Sequence, residues 1–134
     1  MGFQELGLRA ELLETLQEIA FKTPTQVQRE AIPVALGETQ DLMVIARTGT
    51  GKTASFMMPL IEILNSGKSK SRMPRSLILD PTRELAIQVS EEFNKINQYL
   101  NLQMALLIGG TSFAEQQNKL LKGVDVLIAT PGRL

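Results

Sequence analysis

Ala46-Arg47-Thr48-Gly49-Thr50-Gly51-Lys52-Thr53 is the stretch whose reading decides the fold of this chain. An apolar run, Leu42-Met43-Val44-Ile45-Ala46, precedes it, and Phe56, Met57, Leu60, Ile61 and Leu64 follow at helical spacing. The sequence therefore predicts a buried strand, a glycine-rich turn and an amphipathic helix, the context that a phosphate-binding P-loop requires. Gly49 and Gly51 let successive backbone N–H groups turn inward around phosphate oxygens, and the start of the helix adds partial positive charge at the same spot. Thr48 and Thr50 complete the loop. Lys52 can reach terminal phosphates as a mobile charge, and the Thr53 hydroxyl is placed to ligate a magnesium ion bridging them. Ala46 stands where the pattern has its first glycine, so a small residue is kept.

Composition narrows the chemistry. The 134 residues are one domain's worth of chain, and a hydrophobic content of 43% is enough for a core. Fourteen basic residues balance fourteen acidic ones, so any contact with nucleic acid must be local and not a product of overall basicity. With no cysteine and no histidine, disulfides, thiolate nucleophiles, imidazole bases and the commonest zinc ligands are excluded. Catalysis would rest on phosphate electrostatics and carboxylates. No apolar run approaches membrane-spanning length and no secretory pattern precedes the first helix, so a cytoplasmic protein without a membrane partner is expected.

From the amino terminus, Leu8, Leu12, Leu13, Leu16 and Ile19 predict a helix over roughly residues 9 to 20. Pro24 suits a helix start, and Val27, Ala31 and Ile32 predict a second helix that Pro33 kinks or ends. Pro59 should bend the helix after the P-loop. Asn65 to Arg75 reads as a surface loop, whose cations Lys68, Lys70, Arg72 and Arg75 are explained more simply by solvation than by phosphate contact. Further strands are predicted at Ser76–Asp80, Gln103–Ile108 and Asp125–Ala129, with helices after the first two. Each strand is apolar along nearly its whole length, which implies an α/β fold: a mostly parallel sheet with helices on both faces.

In such a sheet, ligands collect at the carboxyl ends of the strands. That edge should carry the P-loop, then Pro81-Thr82-Arg83-Glu84, then Gly109-Gly110, then Thr130-Pro131-Gly132-Arg133. The last three offer helix-terminus amides, hydroxyls, close backbone approach and two arginines, a set suited to a sugar-phosphate backbone more than to base edges. Each also has a structural reading: Thr82 as a helix cap, Glu84 as a complement to the helix dipole, the glycine pair as a turn.

Taken in order, these segments resemble the DEAD-box RNA helicases, over essentially the whole chain. Ala46–Thr53 is similar to their motif I, Pro81–Leu85 to motif Ia, Gly109-Gly110 to the GG doublet and Thr130–Arg133 to motif Ib. Phe21-Lys22-Thr23-Pro24-Thr25-Gln26-Val27-Gln28 resembles the Q motif, with Phe3 in the place of its upstream aromatic. The resemblance implies a RecA-like P-loop domain spanning 1–134, with Q-motif helices in 1–40 and the αβ core in 41–134. It implies ATP and Mg²⁺ as cofactors, with Phe21, Thr23 and Gln28 joining the P-loop residues around the nucleotide. Gln28 would read adenine with its amide, accepting from N6 and donating to N7, while Phe21 packs on the base. Single-stranded RNA would be gripped by its backbone, without sequence specificity. Ala20, Arg47 and Asp80 depart from the commonest family pattern.

Motif II, the Asp-Glu-Ala-Asp segment, does not occur in these residues, nor do the later motifs or the second RecA-like domain that the resemblance implies as partner. The expected function is that of a longer parent, ATP-driven local separation of RNA duplexes, with the chain itself nearly inactive. An open sheet would leave apolar faces exposed and favour self-association. The alternatives are a non-catalytic adenine-nucleotide or RNA-binding module and, with less to support it, a P-loop phosphotransferase.

Overall fold

Three four-residue apolar runs build the sheet: β1 (Ser76–Leu79), β2 (Met104–Leu107) and β3 (Val126–Ala129). They are seen in a computed structural model that describes residues 2–18, 23–37, 41–47, 51–66, 74–109 and 113–132. The helices are α1 (Ala10–Glu18), α2 (Gln26–Leu36), α3 (Lys52–Ser66), α4 (Arg83–Ile96) and α5 (Phe113–Lys122), with short 3-10 turns at Phe3–Leu6 and Asn97–Tyr99.

The strand order is β1-β3-β2, all parallel, as the αβ alternation predicts. Ser76 and Met104 flank Val126, and Leu79 and Leu107 flank Ala129, so the three strands start and finish level. Side chains alternate between the two faces of the pleat. Val126, Ile128 and Ile78 enter the main core with Phe93 and Ile96 of α4, Met57 and Ile61 of α3, and Leu12 and Leu16 of α1. Leu127, Ala129, Ala105 and Leu107 form a smaller core on the other face, roofed by Leu120 of α5. Among the described residues no helix is long and apolar enough to cross a membrane.

Two expectations need correction. The apolar run 42–46 is not a buried strand: residues 41–47 lie outside every ladder, with Met43 and Ile45 87% and 91% exposed. A strand is stable only when its N–H and C=O groups find a partner, and among the described residues no strand offers one to this run. Burial on both faces also fails for β1. Leu77 and Leu79 are about half exposed because α5 roofs only β2 and β3, which leaves this face of the edge strand β1 open. Only β3 has all four residues buried.

Both interior prolines sit in unbroken helices. Pro33 lies three residues before the end of α2, and Pro59 lies in the middle of α3. The first of them does not end its helix, because the ring removes one N–H bond and leaves the later ones intact. The start of α2 is set not by Pro24 but by Thr25, whose hydroxyl accepts from the Gln28 N–H while the Gln28 side chain returns a bond to the Thr25 N–H, a reciprocal capping box. The first helix is described only to Glu18; the expected residues 19 and 20, and most of the 65–75 loop, lie outside the described set.

At the amino-terminal end of the sheet, Asp125 gathers the strand starts. Its carboxylate accepts from Arg75 Nη2 at 2.9 Å and from the Gln103 N–H at 2.9 Å, and its main-chain oxygen accepts the Arg75 and Ser76 N–H groups. Arg75 Nη2 also donates to the Leu64 carbonyl at 3.0 Å, which ties in the end of α3. Arg75 is therefore a structural residue at the far end from the strand carboxyl termini. Asp125→Ala should cost about 2 kcal/mol, the scale for hydrogen bonds to a charged group, read as a lower midpoint in urea unfolding.

Asp80, just past β1, has one carboxyl oxygen shielded from solvent without a hydrogen-bond partner, and burial pushes its pKa up. A carboxyl whose folded pKa is raised pays its penalty while ionised, above that pKa, and is relieved as pH falls toward the ordinary carboxylate range. Asp80→Asn should therefore raise the melting temperature at neutral pH, and the gain should vanish in acid.

Candidate nucleotide and nucleic-acid site

Gly51 opens the site. Its φ of 86° lies in the left-handed region, and a Cβ there would collide with Gln28 Nε2 and crowd Thr25 Oγ1. The turn brings Lys52 and Thr53 to the first positions of α3, where the unpaired N–H groups and the positive end of the helix dipole gather. Both side chains are partly exposed and line a cavity of about 630 Å³ shared with Ser55, Phe56, Asp80 and Gln88.

Gln28 is only 4% exposed, and its amide is already engaged. Oε1 accepts the Thr25 N–H at 3.0 Å, and Nε2 donates to the Gly51 carbonyl at 3.3 Å. The second bond joins α2 directly to the P-loop turn. A primary amide has two donor hydrogens and two acceptor lone pairs, so one of each is left after these bonds. Sequence reasoning found Gln28 but missed this double duty. The Thr25–Gln28 spacing, a capping box, was the available signal.

The expected rim residues that are described follow the strand ends. Asp80, the first residue after β1, shares the cavity with Lys52, so β1's carboxyl end and the P-loop lie on one side of the sheet. Pro81, Arg83 and Glu84 are exposed there. Thr82 is the cap of α4, accepting the Leu85 N–H at 3.2 Å. Gly109 follows β2, and Thr130, Pro131 and Gly132 follow β3, with the Thr130 N–H held by the Leu107 carbonyl at 3.1 Å. A Cβ at Gly109 or Gly132 would meet open space, and neither has a left-handed φ. The fold itself does not require glycine at either position.

Thr23 is exposed just before α2. Phe21, Thr48, Gly49, Thr50, Gly110 and Arg133 lie outside the described residues. Two positioning contacts carried no motif. Gln116 of α5, buried, donates to the Ile108 carbonyl at 3.0 Å and so fixes the residue before Gly109. Glu62, in the otherwise apolar middle of α3, accepts the Arg9 N–H at 3.0 Å. A lone acid within Met57–Leu64 was the only trace of it in the sequence.

Residues 25–134 match the family model for the DEAD/DEAH box helicase. The chain is 45% identical over 132 residues to the ATP-dependent RNA helicase DBP10 of Ajellomyces capsulatus, covering 98% of this chain and 14% of that protein. It is 42% identical over 140 residues to the pre-mRNA-splicing ATP-dependent RNA helicase prp28 of Neosartorya fischeri, covering 99% and 18%. Among solved structures, a DEAD box protein from the hyperthermophile Methanococcus jannaschii superposes with a TM-score of 0.89 at 39% identity, covering 99% of this chain and 35% of that one. The RNA helicase Prp28 from Chaetomium thermophilum bound to ADP gives 0.89 and 39%, covering 98% and 32%. The chain thus spans less than a fifth of the length of these two curated relatives. With its P-loop turn, its level strand ends and this likeness along nearly its entire length, the chain belongs to the DEAD/DEAH box helicase family.

Proposed function

We propose that this chain is the nucleotide-binding part of an ATP-dependent RNA helicase, holding ATP at the start of α3 and single-stranded RNA along the rim of strand ends. The carrying observation is convergence: Lys52 and Thr53 share one cavity with the residue that follows β1, and the segments after β2 and β3 finish level with it. Gly109 and Gly132, which the fold does not need, suit close approach by a sugar-phosphate backbone. Pro81, Thr82, Arg83, Glu84, Thr130 and Pro131 complete that surface, and Gly110 and Arg133 adjoin it in sequence.

Gln28 reads adenine without giving up its present bonds. Its remaining N–H faces the role of donor to N7 and its remaining lone pair that of acceptor from N6, whereas guanine offers an acceptor in place of the N6 donor. Thr53 fits a magnesium ligand by its hydroxyl and its place at the helix start, and Lys52 fits the terminal phosphates. No cluster of three acidic or imidazole side chains that would hold a metal is found among the described residues. Bound magnesium would neutralise phosphate charge; the chain's own residues bind and orient.

Lys52→Ala should weaken binding of ADP at least tenfold in a calorimetric titration. Gln28→Glu keeps an acceptor oxygen but loses both the donor to N7 and the Gly51 tie; beyond any loss of affinity common to both nucleotides, it should reduce the preference for ADP over GDP by about 1–3 kcal/mol, as amide–adenine pairing is worth in DNA. Equal affinities of wild type for ADP and GDP would remove the assignment. Turnover by the 134 residues alone should be negligible, since they contain no Asp-Glu-Ala-Asp carboxylates.

The same reading includes self-association through the open side of the sheet. Leu42, Met43, Ile45, Leu77 and Leu79 are exposed, β1 carries no charged residue, and a net charge of zero gives copies no repulsion. Sedimentation velocity should show mass rising with concentration in the micromolar range, and Leu79→Lys should shift the population toward monomer. A compact monomer at all concentrations would refute it.

A further inference from the structure

We infer that Glu62 is a positioning residue of the nucleotide site, joining the amino-terminal segment to the P-loop helix; this rests on the nucleotide reading above. Glu62 is 7% exposed on the buried side of α3, among Met58, Ile61 and their neighbours. Its Oε1 accepts the Arg9 N–H at 3.0 Å and lies 3.3 Å from Arg9 Nε. Arg9 directly precedes α1, and its carbonyl accepts the Leu13 N–H at 3.1 Å, so Arg9 holds the cap position of that helix. An arginine side chain has no acceptor with which to cap. Glu62 instead takes the N–H of the cap residue itself, as the third-position glutamate of a capping box does, and sets a carboxylate at the positive end of the α1 dipole. One turn further along α3, Asn65 donates to Glu11 Oε2 at 2.8 Å and doubles the tie.

These contacts close a ring. Phe3 and Leu6 of the first 3-10 turn are buried in the main core, and Gly7, at φ 97°, turns the chain beside Leu36 of α2. Helix α2 carries Gln28, which holds the Gly51 carbonyl, and that same carbonyl accepts the Ser55 N–H of α3. The ring runs from the P-loop turn through Gln28 and α2, across the amino-terminal segment, through Arg9 and Glu62, and back along α3. Opening it at Glu62 frees the segment that α2 rests on, and the Gln28–Gly51 contact loosens with it.

The joint depends on the oxygen more than on the charge. Arg9's side chain is 63% exposed, so its ion pair with Glu62 is well screened. Burial and the nearby Glu11 push the Glu62 pKa up, while the Arg9 N–H and guanidinium pull it down, with burial the largest influence. Protonation in acid relieves that burial and leaves a carbonyl oxygen still able to accept from the Arg9 N–H.

Amide exchange followed residue by residue tests the ring. Glu62→Ala should speed exchange at Arg9, at Leu13 and, at the far end of α3, at Ser55, each by about fivefold, the factor for one lost cap. Glu62→Gln should match wild type at all three. An unchanged Ser55 in Glu62→Ala would overturn the inference, and so would a variant that loses its helical circular dichroism even in the cold, which would make Glu62 a core determinant and not a joint. Magnesium-ADP added to wild type should slow Leu13 as well as Ser55; slowing at Ser55 alone counts against the ring. If ADP slows neither, the nucleotide reading falls, and the Ser55 comparison between variants still decides the coupling.

Discussion

The Asp125 carboxylate is the point from which the geometry of this protein follows. By accepting the Gln103 N–H and the Arg75 guanidinium while its backbone holds Ser76, it sets three strands off from one baseline. Strands of equal length, paired in parallel without slippage, must end level. The level ends are the surface from which Asp80–Glu84, Gly109 and Thr130–Gly132 project. A charged group at the amino-terminal end of the sheet thus sets how the opposite end is levelled. An ion pair of this kind, each side chain about a quarter exposed, contributes more to placing the strands than to net stability.

The sheet is well sheathed only along β3. Its neighbours are unequal: β2 is shielded by α5 and Leu120, whereas β1 shows Leu77 and Leu79 to solvent, and the 41–47 run lies apart with its apolar side chains outward. Between β1 and that run lies the cavity bounded by Phe56, Asp80 and Gln88. Hydrophobic surface concentrated in one region of a domain marks where something else packs. It also places Asp80 in an awkward position, a carboxylate with a shielded oxygen in mainly apolar surroundings.

Much of this was legible in the residues. The αβ alternation, the parallel sheet and a helix that begins at Lys52 follow from apolar period and glycine placement, signals carried within ten or so neighbouring residues. What was not legible depended on partners distant in sequence. The run 42–46 has the composition of a buried strand, but composition cannot say whether a ladder partner is present. Leu77 and Leu79 read as covered because nothing local reveals how far α5 reaches. Arg75, grouped with three loop cations, is held by a residue fifty positions away. For Gln28 the local capping box and the distant Gly51 carbonyl use the same side chain, and only the first could be read in advance.

The missing methyl group of Gly51 has a consequence for how such a site changes over time. The space it would fill is taken by Gln28 and Thr25, and the backbone there turns the way L-residues resist. An alanine at 51 would therefore have to be accommodated by shortening or moving side chains on another helix, and it would still carry a strained φ. Positions 25, 28 and 51 form a lock with three tumblers, in which no single exchange leaves the other two in place. Variation in this part of the molecule should accumulate around those three residues and leave them together.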